Sequence, residues 1–132
     1  MKVFLDTNVW LSATVFAGLC EAILTEVAQR DGLLTTRLVR SEAHEVLGRK
    51  FPHLPQSLAL FDAIWSEAVC VSDVDEPADD NDVRLVRAAQ AAGATVFVTG
   101  DRRVLAWGAQ GDMQILSPRE TWMRLLAQSG SN

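Results

Sequence analysis

The opening stretch Lys2-Val3-Phe4-Leu5-Asp6-Thr7-Asn8, in which an apolar run stops abruptly at a carboxylate followed by two small polar residues, constrains this chain more than any other. Apolar residues at consecutive positions suit a strand covered on both faces, as at the centre of a parallel sheet. Asp6 then lies just past the strand's carboxyl end, where open α/β sheets bind ligands. Asp6, Thr7 and Asn8 are also good helix N-caps, and taken alone the stretch reads more readily as a cap. The other acids of the chain shift that balance.

Periodicity organises the chain beyond Asn8. A short helix is expected from Val9 to Phe16 and a clearer one from Leu19 to Gln29, where Leu19, Ile23 and Val27 recur at helical spacing before Asp31-Gly32. Leu33 to Thr36 reads as a strand. Leu38 to Lys50 reads as a helix with Val39, Ala43, Val46 and Leu47 on one stripe. Past Pro52 and Pro55, Gln56 to Ala68 is amphipathic, with Leu58, Phe61, Ile64, Trp65 and Ala68 on one face. Val69-Cys70-Val71 is a third strand, and an acid-rich connection leads to a helix from Asp82 to Ala92 stopped by Gly93. Thr95 to Thr99 is the strongest strand candidate. A helical turn from Arg102, a strand at Gln114-Ile115-Leu116 and a helix behind Ser117-Pro118 complete the order. Alternating strands and helices predict an α/β fold, three layers α/β/α around a central parallel sheet, with the first strand central. Residues 1–128 are expected to form a single domain and 129–132 a loose tail.

Composition narrows the function classes. A chain of 132 residues that is 48% hydrophobic and 22% charged can bury a core without disulfides or structural metal. No run is long and apolar enough to span a bilayer and no secretory signal is visible, so a cytoplasmic protein without membrane contact is expected. Cys20 and Cys70 lack metal-ligand spacing and read as small buried hydrophobes; His44 and His53 are too scattered for a zinc site. With 17 acidic and 12 basic side chains the net charge is -5, which argues against a broad basic nucleic-acid face. A polyanionic substrate would need local recruitment, by a bound cation or a few rim arginines.

Four acids are placed to provide it. Asp6 and Asp101 each follow a strand. Asp82 shares a helical stripe with Val86 and Ala89 at the first turn, which aims it over the sheet. Glu42 flanks the stripe of Val39, Ala43 and Val46, whereas Glu45 points farther away, so Glu42 is the inward acid. Asp79 and Asp80 read as cap or loop residues, or as outer ligands. Each acid alone is commonly a cap or a solvated charge, but four on one rim repel one another unless a cation offsets them. All-oxygen ligation favours Mg²⁺ or Mn²⁺.

At these residues the sequence resembles a PIN domain, the metal-dependent nuclease fold of VapC-type toxins in bacterial toxin-antitoxin pairs. The resemblance runs through Leu5-Asp6-Thr7-Asn8-Val9, Glu42-Ala43-His44-Glu45-Val46-Leu47, Asp82 ahead of Gly93-Ala94, and Val98-Thr99-Gly100-Asp101 with Leu105 behind it. It implies that Asp6, Glu42, Asp82 and Asp101 are the catalytic, metal-binding acids, with Asn8 and Thr99 as supporting polar groups. Where the nearest subgroup often carries a further acid, two residues after the Thr-Gly-Asp aspartate, this chain has Arg103, a departure from a five-acid or two-metal pattern. The resemblance further implies an RNA-cleaving toxin with a cognate antitoxin as partner.

Such a site hydrolyses phosphodiesters by polarising a phosphoryl oxygen and activating water, with Glu42 holding a second ion or orienting that water. Arg37, Arg40, Arg102 and Arg103 follow strands on the same rim and are candidates for flanking phosphates. The amphipathic Gln56 to Ala68 helix and four Trp residues raise the expectation of a homodimer or of an antitoxin helix docked there. The alternative function is a non-catalytic protein-interaction module of the same fold, which a metal titration would distinguish. A receiver domain would need paired acids after the first strand, and a dinucleotide fold a glycine-rich first turn; neither is present.

Overall fold

The computed structural model describes residues 1–129. In chain order its elements are β1 (Val3–Leu5), α1 (Thr7–Val15), α2 (Leu19–Gln29), β2 (Leu33–Thr35), α3 (Arg37–Lys50), α4 (Pro55–Glu67), β3 (Val69–Cys70), α5 (Asn81–Ala91), β4 (Val96–Val98), α6 (Arg102–Leu105), β5 (Gln114–Leu116) and α7 (Pro118–Ser129). The five strands form one sheet in the order β3-β2-β1-β4-β5, every pairing parallel. This is the expected three-layer α/β fold with β1 at the centre.

The strand order explains where a site can form. From β1 the chain moves outward through β2 to β3, then crosses back and moves the other way through β4 to β5. Right-handed crossovers place helices on both faces as a result. The direction reverses between β1 and β4, and a crevice opens at the carboxyl ends of two such strands because their following segments diverge to opposite sides.

Short strands suffice at the centre of the sheet because the side chains of β1, β2 and β4 are buried. Val3, Phe4 and Leu5 are at most 1% exposed, and Val96, Phe97 and Val98 likewise. Phe4 and Phe97 are register partners whose rings stack at 5.5 Å between centroids. Burying each contributes on the order of 1.5–3 kcal/mol, so this pair ties β1 to β4 directly beneath the crevice.

The helices follow the expected stripes. In α3 the buried residues are Val39, Ala43 and Leu47. In α5 they are Leu85, Val86, Ala88 and Ala89, and the chain leaves this helix through Gly93 at φ 80°, a conformation that favours glycine. Phe61 of α4 is buried against Trp10 of α1, and Leu58, Ile64, Trp65 and Ala68 pack on the core. On this apolar face Phe61 is buried and Leu58, Ile64, Trp65 and Ala68 are half-buried. The exposed large apolar residues are mostly elsewhere: Phe16 and Leu19 at the α1–α2 turn, and Met123 and Leu126 on α7, with Leu60 on α4.

Cys70 is exposed, not buried as expected, because β3 is a two-residue edge strand with solvent on its outer side. Helix α7 continues through Ser129, and the remainder of the expected tail lies outside the described residues. Among the described residues no single helix is long and apolar enough to cross a membrane.

Candidate active site

Asp6 sits at the reversal point between β1 and β4. Its amide donates to Val98 O at 2.9 Å, and its carbonyl accepts from Val9 and Trp10 at the start of α1. The backbone is therefore clamped by the neighbouring strand on one side and the new helix on the other, which fixes where the carboxylate points. Asp6 is 4% exposed. Its side chain makes no cap bond to α1; instead Oδ2 accepts from the Thr99 hydroxyl at 2.7 Å. Thr99, fully buried at the end of β4, also accepts from the Asp101 amide at 3.0 Å. One hydroxyl thus couples the acids that follow β1 and β4.

Glu42 comes in from α3. Thr36 caps that helix by accepting from the Val39 amide. The resulting phase turns Glu42 toward the rim, where Oε1 accepts from Thr7 Oγ1 at 2.7 Å and Oε2 from Asn81 Nδ2 at 3.3 Å. Glu45, three residues on, is exposed and pairs with Arg49. The helical wheel selects Glu42 as the inward acid, and this geometry agrees.

Asp82 and Asp101 occupy the other side. Asp80 caps α5 through the Val83 amide, which leaves Asp82 in the first turn. Asp82 is turned to the rim's edge, with Oδ2 2.8 Å from Arg103 Nη2. Asp101 is half-buried and accepts from the Arg103 amide at 2.8 Å, capping α6. Arg103 also reaches Asp80 at 3.4 Å and lies over the Trp107 ring.

The electrostatics result from this arrangement. Burial pushes the Asp6 carboxyl from its ordinary 3.8 up to about 6. The Thr99 hydroxyl pulls it down, Asp82 adds repulsion, the Thr7 amide pulls it down and Glu42 adds a smaller repulsion. Neither Asp6 nor Glu42 has a cationic partner among the described residues.

The acid side chains at this rim offer only oxygen, a set that suits Mg²⁺ or Mn²⁺, and the raised pKa of Asp6 comes first from its burial. Among the described residues no three acidic, His or Cys side chains stand close enough, as placed, to enclose an ion. Arg103 draws Asp82 outward, while Thr7 and Asn81 hold Glu42. An all-oxygen donor set is of the kind a divalent ion takes.

The polar residues around the acids include some the sequence does not single out. Thr99 holds Asp6 as anticipated. Asn8 is exposed and makes no side-chain hydrogen bond among the described residues, whereas Thr7 holds Glu42 and Asn81 assists. The signal is present in the sequence: Thr7 shares a helical stripe with Trp10, Leu11 and Thr14, and Asn81 with Leu85 and Ala88, once each helix is started at its true first residue. A groove of about 460 Å³ beside Asp101 is lined by Asn8, Val9, Ser12, Cys20, Gly100 and Pro118. A larger cleft, about 710 Å³, lies between α3 and α4 with none of the four acids in its lining; there Arg40 is 3.8 Å from Asp62 and stands over Trp65. Arg37 lines that cleft too; Arg37 and Arg102 are exposed and have no acidic partner among the described residues.

The fold and site define an α/β protein with an acid-lined crevice at the reversal point of its sheet. Compared with protein-family models, with curated proteins and with solved structures, the chain matches none.

Proposed function

We propose that this protein is a metal-dependent endoribonuclease of the PIN type, acting in the cytoplasm as the toxin of a toxin-antitoxin pair. The observation that carries the reading is the buried, charge-repelled carboxyl of Asp6 at the β1/β4 crevice, faced by Glu42 and Asp82 and joined to Asp101 through Thr99. The toxin role and the antitoxin partner rest on the resemblance of the Asp6, Glu42, Asp82 and Asp101 motifs.

A Mg²⁺ or Mn²⁺ ion, when bound, supplies the Lewis acidity that phosphodiester hydrolysis needs. Asp6 would be its first anchor, because its carbonyl and amide are fixed by α1 and β4 and only the carboxylate is left to face the crevice. Thr99 holds one Asp6 oxygen in place. Glu42, fixed at both oxygens, serves as a positioned acceptor for the proton of an attacking water. Arg37 and Arg102 are available for phosphates on either side of the scissile bond.

The test is cleavage of an internally labelled single-stranded RNA with Mg²⁺ and with EDTA, using Asp6→Asn as the control. Cleavage that needs both the metal and Asp6 supports the reading. A pure parent protein that leaves RNA and single-stranded DNA intact at saturating Mg²⁺ and Mn²⁺, yet binds a partner protein, overturns it in favour of an interaction module.

A further inference from the structure

We propose that the cleft between α3 and α4 is a subsite for one unstacked base of a single-stranded RNA, the base lying between the Trp65 ring and the Arg40 guanidinium, with Arg37 on an adjoining phosphate. This inference rests on the RNA substrate of the reading above and gives one of its nucleotides a place outside the acid crevice.

The cleft opens at the same end of the sheet as the acids. Trp65 Nε1 donates to Thr36 O at 3.3 Å, and Thr36 directly follows β2 as Asp6 directly follows the parallel neighbour β1. That bond, together with packing on the core, holds the half-buried ring in one orientation. A base stacking there meets a surface whose order is already in place, which lowers the cost of binding it.

Arg40 covers the ring loosely. Its guanidinium carbon is 5.8 Å from the ring centroid, and its Nε is 3.8 Å from an Asp62 oxygen that His44 Nε2 already engages at 2.6 Å. An exposed ion pair this long contributes little to holding the side chain. A base between ring and guanidinium needs two contacts of about 3.5–4.0 Å, or about 7–8 Å in all, so Arg40 has to move outward by only about 1–2 Å. Aromatic rings and guanidinium planes both stack on bases.

The rest of the lining suits a nucleotide. The volume of about 710 Å³ falls in the range of about 300–1,000 Å³ typical of small-ligand sites. Ser41 and Ser66 supply hydroxyls for a base edge or a ribose. Arg37 is exposed, and it lines both this cleft and the adjoining groove formed with Cys70, Val71, Ser72 and Asp73, where the strand can continue. An acidic peptide would meet Asp62 in the lining and brings no flat group for the ring.

The experiment measures, by fluorescence anisotropy, the binding of a labelled single-stranded RNA and of an abasic strand of the same length and backbone. The Asp6→Asn protein is the background, carrying Trp65→Leu, Trp65→Phe or, as a control, Trp122→Leu, each first shown to be folded by thermal melting. The expected result is that Trp65→Leu weakens RNA binding by about 10-fold or more while leaving the abasic strand and the salt slope unchanged. Trp65→Phe, which gives up the bond to Thr36 but keeps a ring, should retain most of the affinity, and Trp122→Leu all of it. Equal losses on the two strands, undiminished RNA binding by Trp65→Leu, or a loss that accompanies a change of oligomeric state in sedimentation, the cleft then holding a second copy, overturns the proposal. Should Trp65→Leu fail to fold, Arg40→Lys decides, because it keeps the charge and gives up the plane: a loss confined to RNA supports the subsite and an unchanged affinity overturns it. Cleavage by the parent with Mg²⁺ is read separately. A parent that cleaves RNA, beside a Trp65→Leu variant that binds it undiminished, loses the subsite and keeps the nuclease reading. A parent that leaves RNA intact, yet selects it over the abasic strand through Trp65, keeps the subsite and loses the nuclease reading.

Discussion

The hydroxyl of Thr99 donates to Asp6 Oδ2 at 2.7 Å, joining residues 93 positions apart at the point where the sheet reverses direction. Both partners are almost fully buried. The bond favours the charged carboxylate, and it also fixes the Asp101 backbone, since the same oxygen accepts from the Asp101 amide. The isosteric substitution Thr99→Val removes both interactions without opening a cavity. It should destabilise the metal-free protein by about 1–3 kcal/mol at neutral pH, and by less in acid, where Asp6 is neutral. It should also raise the Asp6 pKa further. Denaturant titrations at the two pH values, with a carboxyl titration by NMR, measure both effects; an unchanged midpoint at neutral pH would show that the bond does not hold the site.

The sequence reveals the parts of this site that depend on local periodicity. The inward phase of Glu42 follows from the stripe of Val39, Ala43 and Leu47, and the strand ends at Asp6 and Asp101 from apolar runs that stop at an acid. What it hides depends on long-range pairing. Nothing local to Val69-Cys70 distinguishes a buried strand from an exposed edge, because that depends on which strands lie beside it. The same applies to Arg103: its bond to Asp82 spans 21 positions and is set by how the start of α5 meets the start of α6. Thr7, which the resemblance does not single out, is a matter of phase. Helix α1 starts directly after Asp6, and that start turns Thr7 inward and Asn8 out.

Glu42 and Glu45 provide the cleanest separation of site from surface. Both are glutamates on one helix, but only Glu42 is held at the rim, by Thr7 and Asn81. Glu42→Gln should reduce metal-dependent RNA cleavage by at least about 10–100-fold, the range found when groups that tune a metal site are removed. Glu45→Gln gives up only an exposed pair with Arg49 and should leave cleavage near the parent's. Single-turnover rates on one RNA decide this, and equal losses would take Glu42 out of the site.

Arg37, Arg102 and Arg40 should differ in what they contribute to RNA binding. Arg37 and Arg102 have no acidic partner among the described residues, whereas Arg40 faces Asp62 at 3.8 Å. Each unpaired arginine that contacts a phosphate adds about 0.7 to the slope of log affinity against log salt on a single strand. Arg37→Ala and Arg102→Ala should each lower that slope by about this amount and Arg40→Ala by less. Fluorescence anisotropy on a catalytically inactive background measures the slopes; three identical slopes would place the RNA elsewhere.

Asp6 makes the stability of the metal-free protein fall as pH rises. Its folded pKa of about 6 lies above the ordinary 3.8, so the folded state binds the proton more tightly than the unfolded chain does. The associated stability is fully present below about pH 3.8 and is lost as pH rises through about 6. That gap corresponds to roughly 3 kcal/mol of strain held by the charged, metal-free site. Asp6→Asn keeps the shape and the acceptor for Thr99 but cannot ionise. In EDTA it should therefore match the parent in acid and exceed it above neutrality by up to about 3 kcal/mol, the usual relation between an active-site charge and stability. Mg²⁺ at one hundred times its dissociation constant should stabilise the parent by about 2.7 kcal/mol and the variant far less. If Asp6 were instead a structural acid favoured by the start of α1, its removal would lower stability at high pH and leave the Mg²⁺ response unchanged. Thermal melts of both proteins across this pH range, with EDTA and with Mg²⁺, separate the two, because the variant's advantage at alkaline pH has opposite signs in them.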